Sequence, residues 1–340
     1  MSRRKTQSSA TKIEDVAAAA GVSIMTVSRA LRGVPGVSDT RRQEIVKLAK
    51  RMRYVPNSNA RSLVGEQSAL IGISLPTLFN DVFADILDGM RGAFDAAGFT
   101  TVVNTTEYSL SSERDWVNSL LTWRPTAMVL TGVNHHPSVV ELLREASVPT
   151  LELWDFSKEP VDISVGVDHE KAGFNIAFEL KKRGYRRPAF VGLSSGHDPR
   201  AEKRLLGVQR AFSDNAACEV TVVRPEADSP YQIGYKGLKQ IWNHGESKAD
   251  VIFFLSDLLA VGALMACDEL SINVPGNLGI VGFNGLPITR VLPKKLTTVI
   301  TPRRRMGTLG ASCLIARING VKSDLSSELE TQIVLGDTTR

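Results

Sequence analysis

The sequence has little cysteine and no long apolar stretch, and each shortage excludes a class of protein. Its three cysteines, Cys218, Cys267 and Cys313, are odd in number and far apart. They therefore fit neither a disulfide framework nor a metal-binding cluster. No run of 18 apolar residues occurs, so no membrane-spanning helix is predicted. The basic N-terminal sequence MSRRKTQSSATK leads into no apolar segment, unlike a secretory signal. We therefore expect a protein of the reducing cytoplasm.

The motifs of enzymes and metal sites are also missing or incomplete. No G-x-G-x-x-G sequence opens the α/β part of the chain, which argues against a dinucleotide enzyme. His135, His136 and His169 have no carboxylate or cysteine partner at metal-ligand spacing. Residues 192–196 match the G-x-S-x-G pattern of hydrolases, but polar HDPRAE follows where a nucleophile elbow needs a helix. Only His244 lies late enough to complete a triad. We predict no enzyme, metal or cofactor.

What the sequence does contain is a globular composition with unevenly placed charge. The chain has 340 residues, of which 43% are hydrophobic and 23% charged, enough for two or three domains. Residues 1–66 carry 13 basic and five acidic side chains, whereas residues 67–340 carry 28 basic and 31 acidic ones. A small basic domain on a slightly acidic body indicates phosphate binding; a solvated basic tail is the alternative. Residues 1–10 are predicted to be a disordered basic arm.

Residues 11–33 predict two short helices joined by a tight turn. Apolar residues recur at helical spacing from Ile13 to Ala20. Gly21 should end the first helix because the following position favours a left-handed conformation, and Ser23 can cap the second. The spacing puts Ile24, Val27 and Leu31 on the inner face of the second helix. Its outer face then carries Met25, Thr26, Ser28, Arg29 and Arg32. This pattern is typical of a helix-turn-helix; two ordinary core helices are the alternative.

A third helix and a short segment follow. Ser38 can cap the third helix, and its apolar stripe completes a helical domain over residues 11–55. The sequence NSNARSLVG at residues 57–65 is too short for a stable isolated helix. Its apolar edge has no core to enter, which predicts that residues 56–66 fold against a partner. A plain interdomain linker is the alternative.

From Leu70 onward, strand and helix patterns alternate. This repetition of βαβ units predicts parallel sheets with helices on both faces. Two runs, the second starting near Val165, predict two doubly wound lobes with a ligand cleft beyond the carboxyl ends of the strands. The final helical sequence, PRRRMGTLGASCLIARING, should return to the first lobe. We place the first lobe at about 67–166 and 300–322, and the second at about 167–299 and 323–340.

The chain after residue 10 resembles the LacI family of bacterial repressors. The resemblance is carried by VSIMTVSRALRG, by YVPN and ARSL, and by two lobes similar to periplasmic binding proteins. Within the family, SIMTVSR, PTLFNDVFADILDGM and TPRRRMG are similar to repressors of gluconate operons. The implied fold is an N-terminal all-α helix-turn-helix head plus an α/β periplasmic-binding-protein-like core of two doubly wound parallel-sheet lobes.

The resemblance implies a nucleoid-associated homodimer whose two heads contact the half-sites of a pseudo-palindromic operator. In the major groove, Arg29 can bind a guanine or a phosphate, while Ile24 and Met25 can contact thymine methyl groups. The major-groove set is Ile24, Met25, Thr26, Ser28 and Arg29. Leu63 stands where the family's hinge helix inserts a leucine into the minor groove. The minor-groove set is Asn57, Ala60, Arg61 and Leu63.

The resemblance also implies a small effector bound between the lobes. The corresponding positions are Asn80, Phe83, Trp154, Asp155, Asp168, Arg204, Asp257 and Asn284. A guanidinium at Arg204 suits a carboxylate, which favours a sugar acid such as gluconate, and Asp257 would accept hydrogen bonds from sugar hydroxyls. Each position has a structural alternative, because helix-start aspartates are usually caps and aromatic side chains are usually core residues. We expect effector binding to separate the hinge segments and release the operator.

Several alternative functions remain open at this point. A regulator of the same family could respond to a neutral sugar or a purine, or act by co-repression with the opposite sign. A periplasmic sugar-binding protein would share the two lobes, but it needs a signal peptide and no basic head, and the sequence shows the reverse on both counts. A hydrolase is the most distant alternative.

Overall fold

A computed structural model of the protein describes residues 11–54, 68–78, 81–194, 198–213, 219–243, 246–247 and 249–340. The chain divides into two compact units, residues 1–68 and 69–340. The sequence predicts that the core starts at residue 67. The predicted basic arm, residues 1–10, and the predicted hinge, residues 56–66, lie outside the described residues.

The described part of the first unit consists of three helices. They are α1 (Ile13–Ala20), α2 (Ile24–Arg32) and α3 (Asp39–Arg51). Gly21 ends α1 with a φ of 63°, a left-handed conformation that glycine adopts cheaply. The Ser23 hydroxyl caps α2 by accepting a hydrogen bond from the Thr26 N–H at 3.2 Å. The three helices meet around the fully buried side chains of Val16, Val27 and Ile45. The predicted three-helix head is therefore confirmed.

The first lobe of the second unit is built on a parallel sheet. Its elements are β1 (Leu70–Leu75), α4 (Asp81–Ala96), β2 (Thr100–Thr105), α5 (Leu110–Leu121), β3 (Ala127–Thr131), α6 (Pro137–Glu145), β4 (Thr150–Asp155) and β5 (Ile163–Val167). The strand order is β2-β1-β3-β4-β5-β13, where β13 (Ser327–Glu328) comes from the end of the chain. Ile71 pairs with Thr101 on one side and Ala127 on the other. The order therefore reverses between β1 and β3, as in a doubly wound sheet.

The second lobe repeats this winding on a smaller sheet. Its elements are α7 (His169–Lys182), β6 (Pro188–Val191), α8 (Pro199–Phe212), β7 (Thr221–Val223), α9 (Pro230–Ile241), β8 (Trp242–Asn243), β9 (Glu246–Ser247), β10 (Val251–Phe254), α10 (Asp257–Glu269) and β11 (Gly279–Val281). The parallel strands run in the order β7-β6-β10-β11. Strands β8 and β9 form a short antiparallel pair that the sequence patterns do not predict.

The last part of the chain joins the two lobes. It contains a 3₁₀ helix (Pro287–Arg290), β12 (Thr298–Ile300), α11 (Arg303–Ile318) and β14 (Gln332–Val334). Helix α11 packs against α4 of the first lobe, as predicted. The approach is close, because a Cβ atom on Gly307 would lie 2.1 Å from the Ile86 carbonyl oxygen.

One predicted lobe boundary is wrong. Residues 323–340 were expected in the second lobe, but Ser327 pairs with Val165 and extends the sheet of the first lobe. The chain crosses over only afterwards, and β14 then pairs antiparallel with β12. A two-residue strand is too short to show period-two alternation, so the hydrophobic pattern carries no signal for β13. Among the residues that the structure describes, no helix is long and apolar enough to cross a membrane.

Candidate functional site

The exposed face of α2 is the first candidate site. Ile24 is 47% exposed and Met25 62% exposed, whereas Val27 and Ala30 point into the core of the head. The apolar periodicity predicts Ile24 on the inner face of α2, and this prediction is wrong. Ile24 is the first residue of the helix and lies before the turn that packs against the core. The face offers apolar contact surface that bases could cover.

Arg29 adds a positive charge to this face. Its guanidinium lies against the turn after α2, where a Cβ atom on Gly36 would come within 3.2 Å of Nη1. No carboxylate of the described residues lies within 4.0 Å of Arg29. Thr26 and Ser28 are partly exposed beside it, and the Thr26 hydroxyl is hydrogen-bonded to the Ser23 hydroxyl at 2.9 Å. All five predicted major-groove residues therefore reach the surface of one helix.

Two further arginines of the head serve its fold. Arg41 donates to the Ala20 carbonyl at 2.7 Å, and Arg42 donates to the Val34 carbonyl at 3.3 Å. These bonds tie α3 to the ends of α1 and α2. The predicted minor-groove residues Asn57, Ala60, Arg61 and Leu63 lie outside the described residues.

The second candidate site is a cleft between the two lobes of the core unit. It lies beyond the carboxyl ends of β1, β3 and β4, where doubly wound sheets bind ligands. Two adjoining cavities of about 240 Å³ and 100 Å³ share Tyr108 and Arg200 in their walls. The larger, polar cavity includes Thr106, Glu113, Thr131, Asn134 and Asp155. The smaller one includes Phe83, Trp154, Asp198, Arg204, Leu258 and Asn284.

Five of the predicted effector residues line this cleft. Phe83 and Trp154 come from the first lobe and meet edge to face, with ring centroids 6.2 Å apart. Arg204 and Asn284 come from the second lobe and line the same smaller cavity. Asp155 lines the larger cavity. Asn80 lies outside the described residues.

The structure places the other two predicted carboxylates away from the cavities. Asp168 caps α7 by accepting a hydrogen bond from the Lys171 N–H at 2.9 Å. Asp257 is fully buried and accepts hydrogen bonds from the Leu286 N–H and the Thr298 hydroxyl, both at 2.6 Å. Burial raises the pKa of Asp257 to about 6. Both carboxylate oxygens already accept hydrogen bonds from the protein, so Asp257 has a structural role in the second lobe and not the predicted role in effector binding.

Several polar residues at the cleft are not among the predicted ones, including Tyr108, Asp198, Arg200 and Lys203. Arg200 Nε lies 2.7 Å from Asp198 Oδ1, and Lys203 Nζ lies 2.6 Å from Asp155 Oδ2. The Arg200 guanidinium also faces the ring of Tyr108 at 5.7 Å, which connects the second lobe to the first. A signal existed, since basic residues at i, i+3 and i+4 along the start of α8 share one helix face.

The charge of the cleft differs between its two ends. At the end nearest α8, three cations (Arg200, Lys203 and Arg204) face two carboxylates (Asp155 and Asp198). At the other end, His135 lies between two buried glutamates, 2.7 Å from Glu113 and 3.2 Å from Glu152. Burial lowers the pKa of His135, but the two glutamates outweigh it and raise the pKa to about 9. A protonated histidine between two carboxylates leaves that end with one excess negative charge.

Two buried polar atoms of residues that line the cleft have no hydrogen-bond partner among the described residues, Arg204 Nε and Asn284 Oδ1. Leaving such a group unsatisfied costs about 1–3 kcal/mol. Trp154 and Asn284 also have positive φ angles, 81° and 104°, and strain of this kind clusters at ligand sites. Burial lowers the pKa of Arg204 to about 10, so the side chain stays cationic. The unsatisfied atoms suit a ligand that brings both an acceptor and a donor.

His135 has two carboxylate partners in the folded protein, and neither is at metal-ligand spacing in the sequence. The two glutamates are 22 and 17 positions away in sequence, so spacing along the chain could not reveal them. Within the part of the chain that the structure describes, no group of three or more histidine, cysteine or acidic residues is arranged to hold a metal ion. For the hydrolase pattern, α8 begins only at Pro199, five residues after Ser194. His244 lies outside the described residues.

Comparison with known proteins adds to this geometry. Residues 12–57 match the family described as bacterial regulatory proteins, lacI family, and residues 177–339 match the periplasmic binding protein-like domain. The HTH-type transcriptional regulator GntR of Escherichia coli (strain K12) is 34% identical over 308 residues, or 91% of this chain and 92% of that protein. The HTH-type transcriptional regulator IdnR of the same strain is 31% identical over 328 residues, covering 96% and 98%. The crystal structure of a LacI-family transcriptional regulator from Silicibacter pomeroyi superposes with a TM-score of 0.90 at 31% identity, covering 97% of this chain and 100% of that one.

Proposed function

Since this chain belongs to the LacI family of bacterial transcriptional regulators, we propose that it represses a carbohydrate-utilisation operon and leaves its operator when a sugar acid such as gluconate binds. Its relatives are regulators, and the chain is a regulator rather than an enzyme. The observation that carries the sugar-acid proposal is the buried, partly unsatisfied guanidinium of Arg204 in a cleft whose α8 end has an excess cation.

A polyhydroxy acid fits both ends of the cleft. Its carboxylate can accept hydrogen bonds from Arg204 and Arg200, because guanidinium–carboxylate bonds are short and strong. Its hydroxyl groups can donate to the carboxylates at the other end, where Glu113 carries negative charge. A neutral sugar would leave the excess cation without a counter-charge, which is costly in a buried site.

A purine is the second candidate effector. The edge-to-face pair of Phe83 and Trp154 provides apolar surface that a flat ring could contact. The unpaired Oδ1 of Asn284 could then accept a hydrogen bond from the ring. A bound purine would leave Arg204 Nε without an anionic partner, so a sugar acid fits the cleft better.

On the DNA side, we propose a homodimer whose α2 helices bind two half-sites of a pseudo-palindromic operator in the bacterial cytoplasm. Arg29 would contact a guanine or a phosphate, and Ile24 and Met25 would contact thymine methyl groups. Leu63 would enter the minor groove and open a base step. The exposure of Ile24 and Met25 supports this orientation of α2.

The mechanism follows from a cleft that takes side chains from both lobes. An effector that touches Trp154 in one lobe and Arg204 in the other binds best when the lobes are close, so it shifts the population towards the closed form. The closed form would hold the hinge segments of the dimer apart and weaken operator binding. In co-repression, the effector would bind the same cleft but would favour the lobe arrangement that binds the operator.

Anisotropy of a labelled operator duplex tests the proposal directly. Full-length protein is titrated onto the duplex at fixed salt with gluconate, 2-ketogluconate, glucose or hypoxanthine present. We expect gluconate or its keto acid to release the duplex and glucose to leave the binding curve unchanged. Release by hypoxanthine alone would favour a purine effector. Tighter operator binding in the presence of gluconate would indicate co-repression instead of induction. A duplex that stays bound with every compound would refute the effector proposal.

A further inference from the structure

A third cavity lies at the junction between β12 and α11, where the chain crosses from the second lobe to the first. One wall is formed by the 3₁₀ helix (Pro287–Arg290) and the residues up to Leu296. The other wall is formed by the first turn of α11 and by Asp85 of α4. Its volume is about 640 Å³, within the range of small-molecule sites. We call it the hinge groove, after the crossing between the two lobes and not after the predicted hinge segment at residues 56–66.

The hinge groove is strongly basic. Its lining includes Arg290, Lys295, Arg303, Arg304 and Arg305, and the one lining carboxylate is Asp85. That carboxylate is bound by Arg303 Nε at 2.9 Å, and Arg304 is paired with Asp88 nearby. Among the described residues, no carboxylate forms an ion pair with the side chains of Arg290, Lys295 or Arg305, although Asp337 accepts a hydrogen bond from the Lys295 backbone N–H at 2.9 Å. With Asp85, Asp88 and Asp337 beside five cations, the groove has an excess of about two positive charges.

The fold accounts for Arg303 and Arg304, which pair with Asp85 and Asp88, but it gives no reason for the other cations of the groove. Three consecutive arginines occupy the first turn of α11, where the helix dipole disfavours positive charge. Acidic residues are absent from that turn, and Pro302 provides no side-chain cap. Repulsion between neighbouring like charges lowers the stability of the folded state. A cost without a structural return is typical of a binding surface.

We propose that the hinge groove binds a phosphorylated metabolite carrying about two negative charges. A phosphate monoester has a charge near −2 at neutral pH and three strong acceptor oxygens. Guanidinium forks such as those of Arg290 and Arg305 bind phosphate in a bidentate manner. Inorganic phosphate would fill only a small part of a 640 Å³ groove, so the occupant is an organic phosphate whose remaining atoms contact the groove walls. The site is distinct from the cleft between the lobes, with which it shares no charged residue.

The groove is connected to the cleft through buried side chains that bind the backbone of Asn284, chiefly that of Arg303. Arg303 donates to the carbonyl oxygen of Asn284 as well as to Asp85. Asn284 itself lines the cleft with its side chain. An anion bound beside Arg303 would therefore act on a contact that joins the two lobes, and the two sites would influence each other reciprocally.

Calorimetry on the full-length protein tests the site without any effector or DNA, so its outcome is independent of the gluconate proposal. The probes are glucose 6-phosphate and adenosine monophosphate, with glucose, adenosine and inorganic phosphate for comparison. We expect at least one ester to bind, its uncharged counterpart not to bind, and inorganic phosphate to bind at least about tenfold more weakly. Binding should weaken as salt is raised.

Two variants locate the site and separate it from a solvated surface. The double variant Arg305→Gln/Lys295→Gln should lose at least about tenfold in ester affinity and, without ligand, unfold about 1–3 °C higher because repulsion is relieved. Lys322→Gln, which removes an exposed lysine beyond the C-terminal end of α11, should change neither value. Absence of ester binding, equal binding by inorganic phosphate, or wild-type affinity in the double variant would each overturn the proposal. So would a double variant less stable than the wild type.

Discussion

Arg303 Nε lies 2.9 Å from Asp85 Oδ2, and the same guanidinium donates to the backbone carbonyl oxygen of Asn284. One buried side chain thus joins α4 of the first lobe to the strand end that supplies a cleft residue of the second. Its Nη1 also lies 3.2 Å from the Thr301 hydroxyl. The side chain is only 8% exposed, so little water is available to replace these bonds. The junction between the lobes depends on this residue.

Replacing Arg303 by glutamine should destabilise the core unit by about 2–4 kcal/mol, because the ion pair of a buried arginine with partly exposed Asp85 and the carbonyl contacts are lost together. Urea unfolding followed by tryptophan fluorescence measures the change. Arg304→Gln is the matched control, since it removes a neighbouring ion pair whose arginine is 70% exposed. Exposed pairs contribute about 0–1 kcal/mol. Equal losses in the two variants would contradict the role given to Arg303.

The sequence predicts much of this fold because local signals there agree with tertiary packing. The cap at Ser23, the glycine stop at Gly21 and the alternation of strands and helices each depend on neighbouring residues alone. The lobe boundary near residue 323 failed because β13 has two residues and is held by pairing with β5. Pairing between distant segments has no local sequence signal.

The candidate effector residues follow from the family resemblance and not from local patterns. The structure places Phe83, Trp154 and Arg204 in the walls of the cleft, and their role in effector binding stays a prediction. Asp257 lies at a helix start that the sequence predicts. Its carboxylate, however, is oriented by the Thr298 hydroxyl, which is 41 positions away in the chain. His135 became visible as an ion-paired group only when folding brought two glutamates to it.

Arg204→Met should weaken binding of the sugar acid by about 10–100-fold, because a charged hydrogen bond to a ligand carboxylate contributes about 1.5–3 kcal/mol. Binding to the operator without effector should be retained. Calorimetry with gluconate and operator anisotropy measure the two quantities.

Arg210→Met on the same helix is the matched control, since Arg210 is 65% exposed and paired with Glu170. It should bind the acid like the wild type. Unchanged gluconate affinity in Arg204→Met would rule out the proposed carboxylate contact.

The stability of the core unit should depend on pH through His135. Its folded-state pKa, about 9, lies above the ordinary histidine value of 6.5, so the folded state binds the proton more tightly. The stabilisation is therefore fully present below about pH 6.5 and is lost as the pH rises through about 9. Its size is on the order of 3 kcal/mol at 1.36 kcal/mol per pKa unit.

Urea midpoints measured between pH 6 and 9.5 test this dependence. The wild type should lose stability across the range, and His135→Gln should lose distinctly less. His136→Gln is the control, because its ring contacts Ser138 at the start of α6 rather than a carboxylate. Parallel curves for the wild type and His135→Gln would show that the imidazole is not protonated in the folded protein.

Arg29→Ala should weaken operator binding by about 10–100-fold, because a bidentate contact to guanine contributes about 1–3 kcal/mol of discrimination. Folding should be unaffected, since no carboxylate of the described residues pairs with Arg29 and the side chain is exposed.

A panel of operator variants distinguishes a base contact of Arg29 from a phosphate contact, because the two predict different patterns of binding. Loss of a base contact relaxes the preference at one position in each half-site. Loss of a phosphate contact weakens binding equally on all duplexes and lowers the salt dependence. Arg51→Ala, at the exposed end of α3, should leave base preference unchanged. If Arg29→Ala binds every duplex as the wild type does, α2 does not read DNA through this side chain.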